Sequence, residues 1–252
     1  MANDYRLQGH PVSLAVLDFG LFTVHANGRI IGIPGFLIET SNGEKILIDT
    51  GFPLQYADDV DAASLADNLG EFGKVLNLTH FHQPEAQLAL LGIKKSDLDY
   101  VIITHTHIDH VGNIGGFPGI PLIIGADERA LPQPIYWRGK QPLNWPDNEY
   151  VLVTEDFDLG PGFRVLFVPG HTPGELSIMI DLPQTGSVLL TSDAISRPSE
   201  IDEGCVDATN PAQALASAHR ILNLAREKNA FVIYGHGPEQ WKELKKAPQK
   251  YT

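Results

Sequence analysis

Cysteine is nearly absent from this chain, which has a single one, Cys205, among 252 residues. An intramolecular disulfide is therefore impossible. Because no sequence feature marks an activating partner for the Cys205 thiol, we expect a small packed side chain there rather than a nucleophile.

Basic residues are also scarce, with 18 Lys and Arg against 31 Asp and Glu, which gives a formal net charge of −13. Nucleic acids and anionic membranes both bind basic surfaces, so neither is an expected partner. No apolar run approaches the ~20 residues that span a bilayer. Residues 1–6 lack a basic segment followed by an apolar stretch, so no signal peptide is visible and a cytoplasmic location is expected.

Histidine and aspartate, in contrast, are concentrated in six residues, His105-Thr106-His107-Ile108-Asp109-His110. The apolar run 100–103 precedes them and predicts a buried strand, with the cluster on the loop at its C-terminal end. Imidazole nitrogen and carboxylate oxygen suit zinc and related metals. A catalytic zinc usually takes three protein ligands and a water, so four candidate ligands in one loop favour two metals.

Short apolar runs separated by Gly, Asn and Pro predict strands along most of the chain. The predicted strands cover residues 13–19, 36–39, 46–48, 101–104, 163–168, 176–180, 188–190 and 231–234. Helices are predicted over residues 85–91 and 211–226, the second opened by Asn210-Pro211. Two β-rich halves without a linker predict a single domain over residues 1–252, with two sheets packed face to face and helices outside.

Residues 131–150 interrupt this pattern, since they are rich in Pro, Trp and Tyr and show no periodicity. Three interpretations remain open for this irregular insertion. It packs on the domain surface, covers the substrate as a flap, or contacts a second subunit.

Three distant segments repeat one layout, an apolar run followed by a turn with a metal-binding side chain. These turns carry His171, Asp193 and His236. Together with the six-residue cluster they supply seven ligands, enough for two divalent metal ions with three terminal ligands each and one bridge. A carboxylate suits the bridging position, which makes Asp193 the candidate bridge.

These motifs, with Asp49-Thr50-Gly51 and the segment from Pro169 to Gly174, resemble the metallo-β-lactamase superfamily in order and spacing. The resemblance covers about residues 13–240. It implies the α/β class and an αβ/βα sandwich of two mixed sheets, with a dinuclear site at one sheet edge. It further implies that His105, His107 and His171 hold one metal, that Asp109, His110 and His236 hold the other, and that Asp193 bridges them.

The resemblance also implies roles around the metals. Asp49 matches the superfamily aspartate that accepts the free N–H of a metal-bound histidine. Catalytic roles fall to Asp193, as the bridge, and to Asp109, as a proton shuttle toward the leaving oxygen. Zinc is the expected metal, while cobalt, manganese and iron suit the same ligands.

Within the superfamily, residues 33–39, 186–194 and 246–251 are similar to N-acyl-homoserine lactonases and their γ-butyrolactone-cleaving relatives. Those enzymes carry a tyrosine three residues after the bridging aspartate, where this chain has Ser196. Their second histidine after Pro-Gly is Glu175 here, and the aspartate that often follows the last histidine is Gly237. Ser196 and Tyr136 are the candidate substrate contacts, with Tyr136 as a substitute for the missing phenol.

The leading hypothesis is a dinuclear hydrolase that opens a lactone ring, such as that of an N-acyl homoserine lactone, with a hydroxide held between its metals. The expected partner is a small-molecule lactone or ester, and a homodimer is an open alternative to the monomer. A second hypothesis is hydrolysis of another ester, thioester or phosphodiester, which the same metals could catalyse. A third is a non-catalytic binding module, which the complete ligand set argues against.

Two further sets of residues have weaker assignments. His80 and His82 form a second His-x-His pair, but no acidic partner follows at metal spacing, so we expect loop residues. Candidate pocket walls are the aromatic residues Phe19, Phe22, Phe52, Trp137 and Trp145.

Overall fold

The computed structural model describes residues 5–252, in which the apolar runs form strands of two mixed sheets. The larger sheet contains β1 (Pro11–Val24), β2 (Ile30–Thr40), β3 (Lys45–Ile48), β4 (Gly73–Asn77), β5 (Tyr100–Ile103), β6 (Leu122–Gly125) and β7 (Tyr150–Val153). The smaller sheet contains β8 (Phe157–Gly160), β9 (Phe163–Phe167), β10 (Leu176–Leu182), β11 (Gly186–Leu190) and β12 (Phe231–Ile233).

Both sheets combine parallel and antiparallel pairs. The larger has the order β4-β1-β2-β3-β5-β6-β7, antiparallel from β4 to β3 and parallel from β3 to β7. The smaller has the order β12-β11-β10-β9-β8, and only its β11–β12 pair is parallel. The predicted fold class, two mixed sheets with helices, is confirmed.

Seven α-helices connect these strands within the described part of the chain. They are α1 (Gln55–Asp58), α2 (Val60–Asp67), α3 (Pro84–Ala89), α4 (Ile108–Val111), α5 (Ala126–Arg129), α6 (Pro211–Lys228) and α7 (Pro238–Glu243). The longest, α6, begins as predicted, because the Asn210 side chain accepts a hydrogen bond from the Gln213 amide and Pro211 occupies the first turn. Among residues 5–252, no helix combines the length and apolar character needed to cross a membrane.

Side chains alternate between the two faces of each central strand, which creates the layers of the core. In β3, Ile46 and Ile48 pack between the sheets with residues such as Ile178 of β10, whereas Leu47 packs on the opposite face. On the outer face of the smaller sheet, Leu189 and its neighbours pack against α6. Each fully buried Ile or Leu contributes roughly 1.5–3 kcal/mol through removal of apolar surface from water.

The predicted strands are all present, although several observed strands are longer or were missed. The prediction over residues 13–19 ended too early because Gly20 adopts φ 113° within a bulge, where the register shifts between Asp18 and Leu21, and β1 continues beyond it. Strand β4 was missed because it is a short edge strand whose Leu76 is exposed, so it has no clear hydrophobic pattern. Single-domain organisation over residues 1–252 stays a prediction.

Two glycines bring the end of the larger sheet against the loop that carries His171. A Cβ built on Gly125, the last residue of β6, would lie 2.1 Å from the carbonyl oxygen of Gly174. Gly125 has ordinary dihedrals, φ −58° and ψ 134°, so the close approach rather than backbone conformation requires glycine. The contact fixes the His171 loop relative to β6.

We predict that Gly125→Ala lowers the free energy of unfolding by about 2–3 kcal/mol, because a backbone oxygen cannot move aside as a flexible side chain can. Gly115→Ala is the matched control, since a Cβ there meets no atom within 4 Å. That control should stay within about 0.5 kcal/mol of the wild type. Urea unfolding of the three proteins measures both values, and equal midpoints would contradict the close-approach argument.

Candidate metal centre

The predicted ligands lie together because the strands that precede them end at the same edge of the sandwich. Asp49 follows β3, the 105–110 cluster follows β5, and these two strands are parallel. In the smaller sheet His171 follows β9, Asp193 follows β11 and His236 follows β12, and these three strands also share one direction. Loops from both sheets therefore supply the site.

Within the 105–110 cluster, the chain changes from strand to helix at His107, which is the N-cap of α4. Asp109 and His110 are then in the first turn of that helix. The backbone on either side of His107 is held by Tyr136, whose amide donates to Thr106 at 2.8 Å and whose carbonyl accepts from Ile108 at 3.0 Å. This pairing ties the cluster to the 131–150 segment.

The seven predicted ligands form two groups, and within each the ligand atoms lie within 4.8 Å of one another. The first group contains His105, His107, His171 and Asp193, and the second contains Asp109, His110 and His236. In the first, Nδ1 of His107 is 3.0 Å from Nε2 of both His105 and His171. In the second, Oδ2 of Asp109 is 3.4 Å from Nε2 of His236 and 3.8 Å from Nε2 of His110.

Asp193 lies between the groups, with one carboxylate oxygen toward each. Its Oδ2 is 3.5 Å from Nε2 of His171 and 4.0 Å from Nε2 of His105. Its Oδ1 is 3.1 Å from Nε2 of His236 and 3.8 Å from Nε2 of His110. This is the arrangement that a bridging carboxylate requires.

The donor set fits a metal pair. Nε2 of His110 and Oδ1 of Asp193 are buried and have no hydrogen-bond partner among residues 5–252, although both face other ligand atoms. Buried polar atoms without partners are costly, and a cation placed between them would satisfy both. Nitrogen and carboxylate oxygen are the donors that zinc prefers.

Burial keeps the first group of histidines neutral. Loss of solvation lowers the pKa of His171 to about 3 and that of His105 well below its usual value, with a further contribution from neighbouring imidazoles. The pKa of His107 is lowered for the same main reason, although Asp109 and Asp193 oppose it. A neutral imidazole is the form that binds metals, so these side chains are prepared as ligands.

Carboxylates have the opposite effect on the second group. Burial lowers the pKa of His110, but Asp109, Asp49 and Asp193 outweigh it and raise this pKa to about 9. Burial also lowers the pKa of His236, but Asp193 and Asp109 outweigh it and raise this pKa to about 10. Metal binding to this group therefore has to displace protons at neutral pH.

A layer of hydrogen bonds orients the ligand rings from behind. Oδ2 of Asp49 lies 2.8 Å from Nδ1 of His110, which leaves Nε2 of that ring facing the site. The Thr104 amide and hydroxyl also donate to Asp49, at 2.8 Å each. Nδ1 of His236 lies 3.0 Å from the carbonyl oxygen of Gly32.

A cavity of about 300 Å³ opens over the site and is lined by five of the seven ligands: His107, Asp109, His171, Asp193 and His236. Part of its wall is aromatic and consists of Phe22, Phe52, Phe72 and Trp137. Another part is polar and includes Ser196, Arg29, Arg138 and Arg197. An elongated apolar group with a polar end matches this division.

The structure separates the predicted wall and substrate residues into two sets. Phe22, Phe52, Trp137 and Ser196 line the cavity, whereas Phe19 and Trp145 are not among its described lining residues. Tyr136 is fully buried and its hydroxyl donates to Asp67 at 2.7 Å, so its substrate contact stays a prediction that this geometry does not favour.

Several cavity residues, among them Phe72, Arg29 and Arg197, were not singled out from the sequence. Arg197 directly follows Ser196, and that adjacency is the one signal that could have indicated it. Arg29 lies close to Arg197, which together with burial, the larger effect, lowers the pKa of its guanidinium. These contacts join segments 168 residues apart, which spacing alone does not reveal.

The histidine pair at 80–82 lies outside both ligand groups. Nδ1 of His82 accepts from the Thr79 amide at 3.1 Å and caps a short 3₁₀ turn, while His80 is exposed beside Asp58.

The irregular segment 131–150 lies only partly at the cavity. Trp137 borders the cavity, and Trp145 stacks with Arg129 away from it.

Comparison with known sequences gives a consistent family. The model of the metallo-beta-lactamase superfamily matches residues 33–236. An N-acyl homoserine lactonase of Bacillus cereus is 32% identical over 232 residues, which cover 88% of each protein. The N-acyl homoserine lactonase AttM of Azorhizobium caulinodans is 30% identical over 265 residues, which cover 98% of this chain and 97% of AttM.

Solved structures agree with the sequence relatives. An N-acyl homoserine lactone hydrolase with the product N-hexanoyl-L-homoserine at its catalytic metal centre superimposes with a TM-score of 0.82 at 25% identity, covering 96% of this chain and all of the other. The dizinc quorum-quenching lactonase AidC, at 17% identity and a TM-score of 0.63, shares the fold over 96% of both chains. On both sequence and structure, the chain belongs to the metallo-β-lactamase superfamily.

Proposed function

We propose that this protein is a metal-dependent hydrolase that opens the lactone ring of N-acyl homoserine lactones. One observation carries the proposal: two complete ligand groups meet at Asp193 beneath a cavity with an aromatic and a polar side. The curated relatives that cover most of the chain are named N-acyl homoserine lactonases, which supports the same substrate.

One metal would be held by His105, His107 and His171, and the other by Asp109, His110 and His236. Asp193 would bind both. When bound, two metals supply a hydroxide nucleophile at neutral pH and stabilise negative charge on the attacked carbonyl oxygen. Zinc is the proposed ion because the donors are imidazole and carboxylate, and cobalt, manganese or iron could occupy the same positions.

Asp109 is the proposed proton carrier. Its carboxylate lies in the wall of the cavity and its side chain is 16% exposed there, so it reaches both the second ligand group and the substrate space. Opening a lactone leaves an alkoxide that needs a proton. A carboxylate within hydrogen-bond reach of that oxygen can take up the proton that the attacking water gives up and pass it on, and so favour ring opening over reclosure.

The wall of the cavity suits a substrate that carries an acyl chain. Aromatic side chains offer apolar surface to an acyl chain, with Phe72 and Trp137 in ring contact at 5.1 Å between centroids. Ser196 and Arg197 lie on the polar part, where hydrogen-bond donors suit the amide and ring oxygens of a homoserine lactone. We expect the acyl chain along the aromatic wall and the ring over Asp193.

A second candidate, hydrolysis of another ester, thioester or phosphodiester, has one observation in its favour. No tyrosine occurs among the described residues that line the cavity, so the phenol expected of lactonases is replaced by Ser196. A cytoplasmic location and a homodimer remain predictions from the sequence.

The first test is substrate choice. We predict that zinc- or cobalt-loaded protein releases acid from N-acyl homoserine lactones, and that its kcat/KM for them exceeds that for aryl esters, thioesters and bis-nitrophenyl phosphate. Titration of released protons at constant pH measures each reaction. A 100-fold preference for a non-lactone would select the second candidate instead.

Asp193→Asn tests the bridge. Loss of one negative charge and one metal-binding oxygen should empty at least one metal position and lower turnover by several orders of magnitude, with the fold retained. Asp158→Asn is the control, because that carboxylate is 78% exposed and faces Arg164 at 3.8 Å. Elemental analysis and circular dichroism decide, and two metals with normal turnover in Asp193→Asn would refute the bridging role.

Ser196→Tyr tests the departure from the lactonase pattern. Because Ser196 lines the cavity, a phenol at this position can reach the substrate carbonyl, and we expect lactone kcat to be equal or higher. Ser199→Tyr, at an exposed position nearby, controls for an added aromatic ring. A selective loss of lactone turnover in Ser196→Tyr would argue for a different native substrate.

A further inference from the structure

Glu175 is a fully buried carboxylate beside the first ligand group. Its Oε1 accepts a hydrogen bond from the Asp193 amide at 3.1 Å. Its Oε2 is 3.4 Å from Nδ1 of His105 and accepts from the Thr172 hydroxyl at 3.3 Å. These contacts link the bridging residue to a ligand of the first metal.

Asp49 has the corresponding position behind the second ligand group, 2.8 Å from Nδ1 of His110. His105 and His110 both turn Nε2 toward the site and Nδ1 toward the interior. Each ring therefore has a buried acid behind it, and Nδ1 of His105 also lies 3.3 Å from the Thr104 hydroxyl. A ligating imidazole usually donates its second N–H to such an acceptor, which fixes the ring and increases its basicity.

We propose that Glu175 is a positioning residue for the first metal, in the way that Asp49 is for the second. It sets the His105 ring and the Asp193 backbone relative to each other, so that both approach one ion from fixed directions. The inference rests on the proposed function, because it requires two metal positions. It gives a role to the position where this chain departs from the histidine of its lactonase relatives.

Glutamine at this position has an unequal effect on the two contacts. Its amide has one oxygen and one NH₂ group, and the oxygen is expected to keep the shorter bond, to the Asp193 amide. The NH₂ group then faces the N–H of His105, donor against donor. Loss of such an outer acceptor typically costs 10–100-fold in metal affinity, so Glu175→Gln should weaken the first metal position by that factor.

The experiment counts metals in four proteins held in a zinc buffer that just saturates both positions of the wild type. We expect two zinc ions per chain in the wild type, about one in Glu175→Gln, about one in Asp49→Asn and none in the double variant. Additive loss indicates that the two acids serve different metals. If both served the same metal, the double variant would still retain one ion.

Glu128→Gln is the matched control, because Glu128 is equally buried and its carboxylate bonds to Thr106 and Gly174, while no hydrogen bond or ion pair joins it to a ligand ring within residues 5–252. It should keep two ions even if its melting temperature falls. Should Glu175→Gln fail to fold, Glu175→Asp retains the carboxyl group but withdraws it by one methylene. That variant should still lose affinity at one position only.

The outcomes separate the two claims. Fewer than two zinc ions in the wild type would overturn the proposed metal pair, and this inference with it. Two ions in the wild type and two in folded Glu175→Gln or Glu175→Asp would overturn only the role of Glu175. A double variant that retains one ion would likewise overturn only the role of Glu175.

Discussion

The close packing of seven polar side chains, four of them buried and three half-buried, is the constraint that governs this structure. Imidazoles and carboxylates this close lose their hydration, and the protein can compensate only in part, through opposite charges and outer hydrogen bonds. The opposite pKa shifts of His171 and His236 follow from this packing, because loss of solvation lowers the first pKa whereas Asp193 and Asp109 raise the second. Cations between the groups would complete the compensation, so the interior is arranged for ions.

Backbone strain occurs in two of the turns that orient these side chains. Asp49 and Ser192 both adopt left-handed backbone conformations, with φ 62° and 50°, although neither is glycine. Such conformations cost of order 1–3 kcal/mol and persist only where the surroundings impose them. Here Asp49 bonds to Thr104 and His110, and the Ser192 hydroxyl donates to Thr104 at 2.8 Å. Thr104 thus joins the two strained turns.

Sequence reasoning succeeded where the information was local. The 105–110 cluster carries four of the proposed ligands in six residues, and His171, Asp193 and His236 each follow an apolar run, so their convergence could be predicted from strand ends. The direction of a side chain, in contrast, depends on residues far away in the sequence. The hydroxyl of Tyr136 turns toward Asp67, a residue 69 positions away, and no pattern near Tyr136 indicates this. The short edge strand β4 was also missed, because its exposed Leu76 leaves no clear hydrophobic pattern.

Each ligand group draws on both sheets, and this division affects how the protein matures. In the first group, His105 and His107 follow a strand of the larger sheet, and His171 and Asp193 follow strands of the smaller. In the second group, Asp109 and His110 come from the larger sheet, and His236 follows β12 of the smaller. During synthesis the first group is complete only after β11, and the second only after β12, the last strand. A chain synthesised only through the larger sheet thus offers ions incomplete, weak sites, and the paired site is complete only in the finished sandwich. Metal capture then reports that the two sheets have assembled.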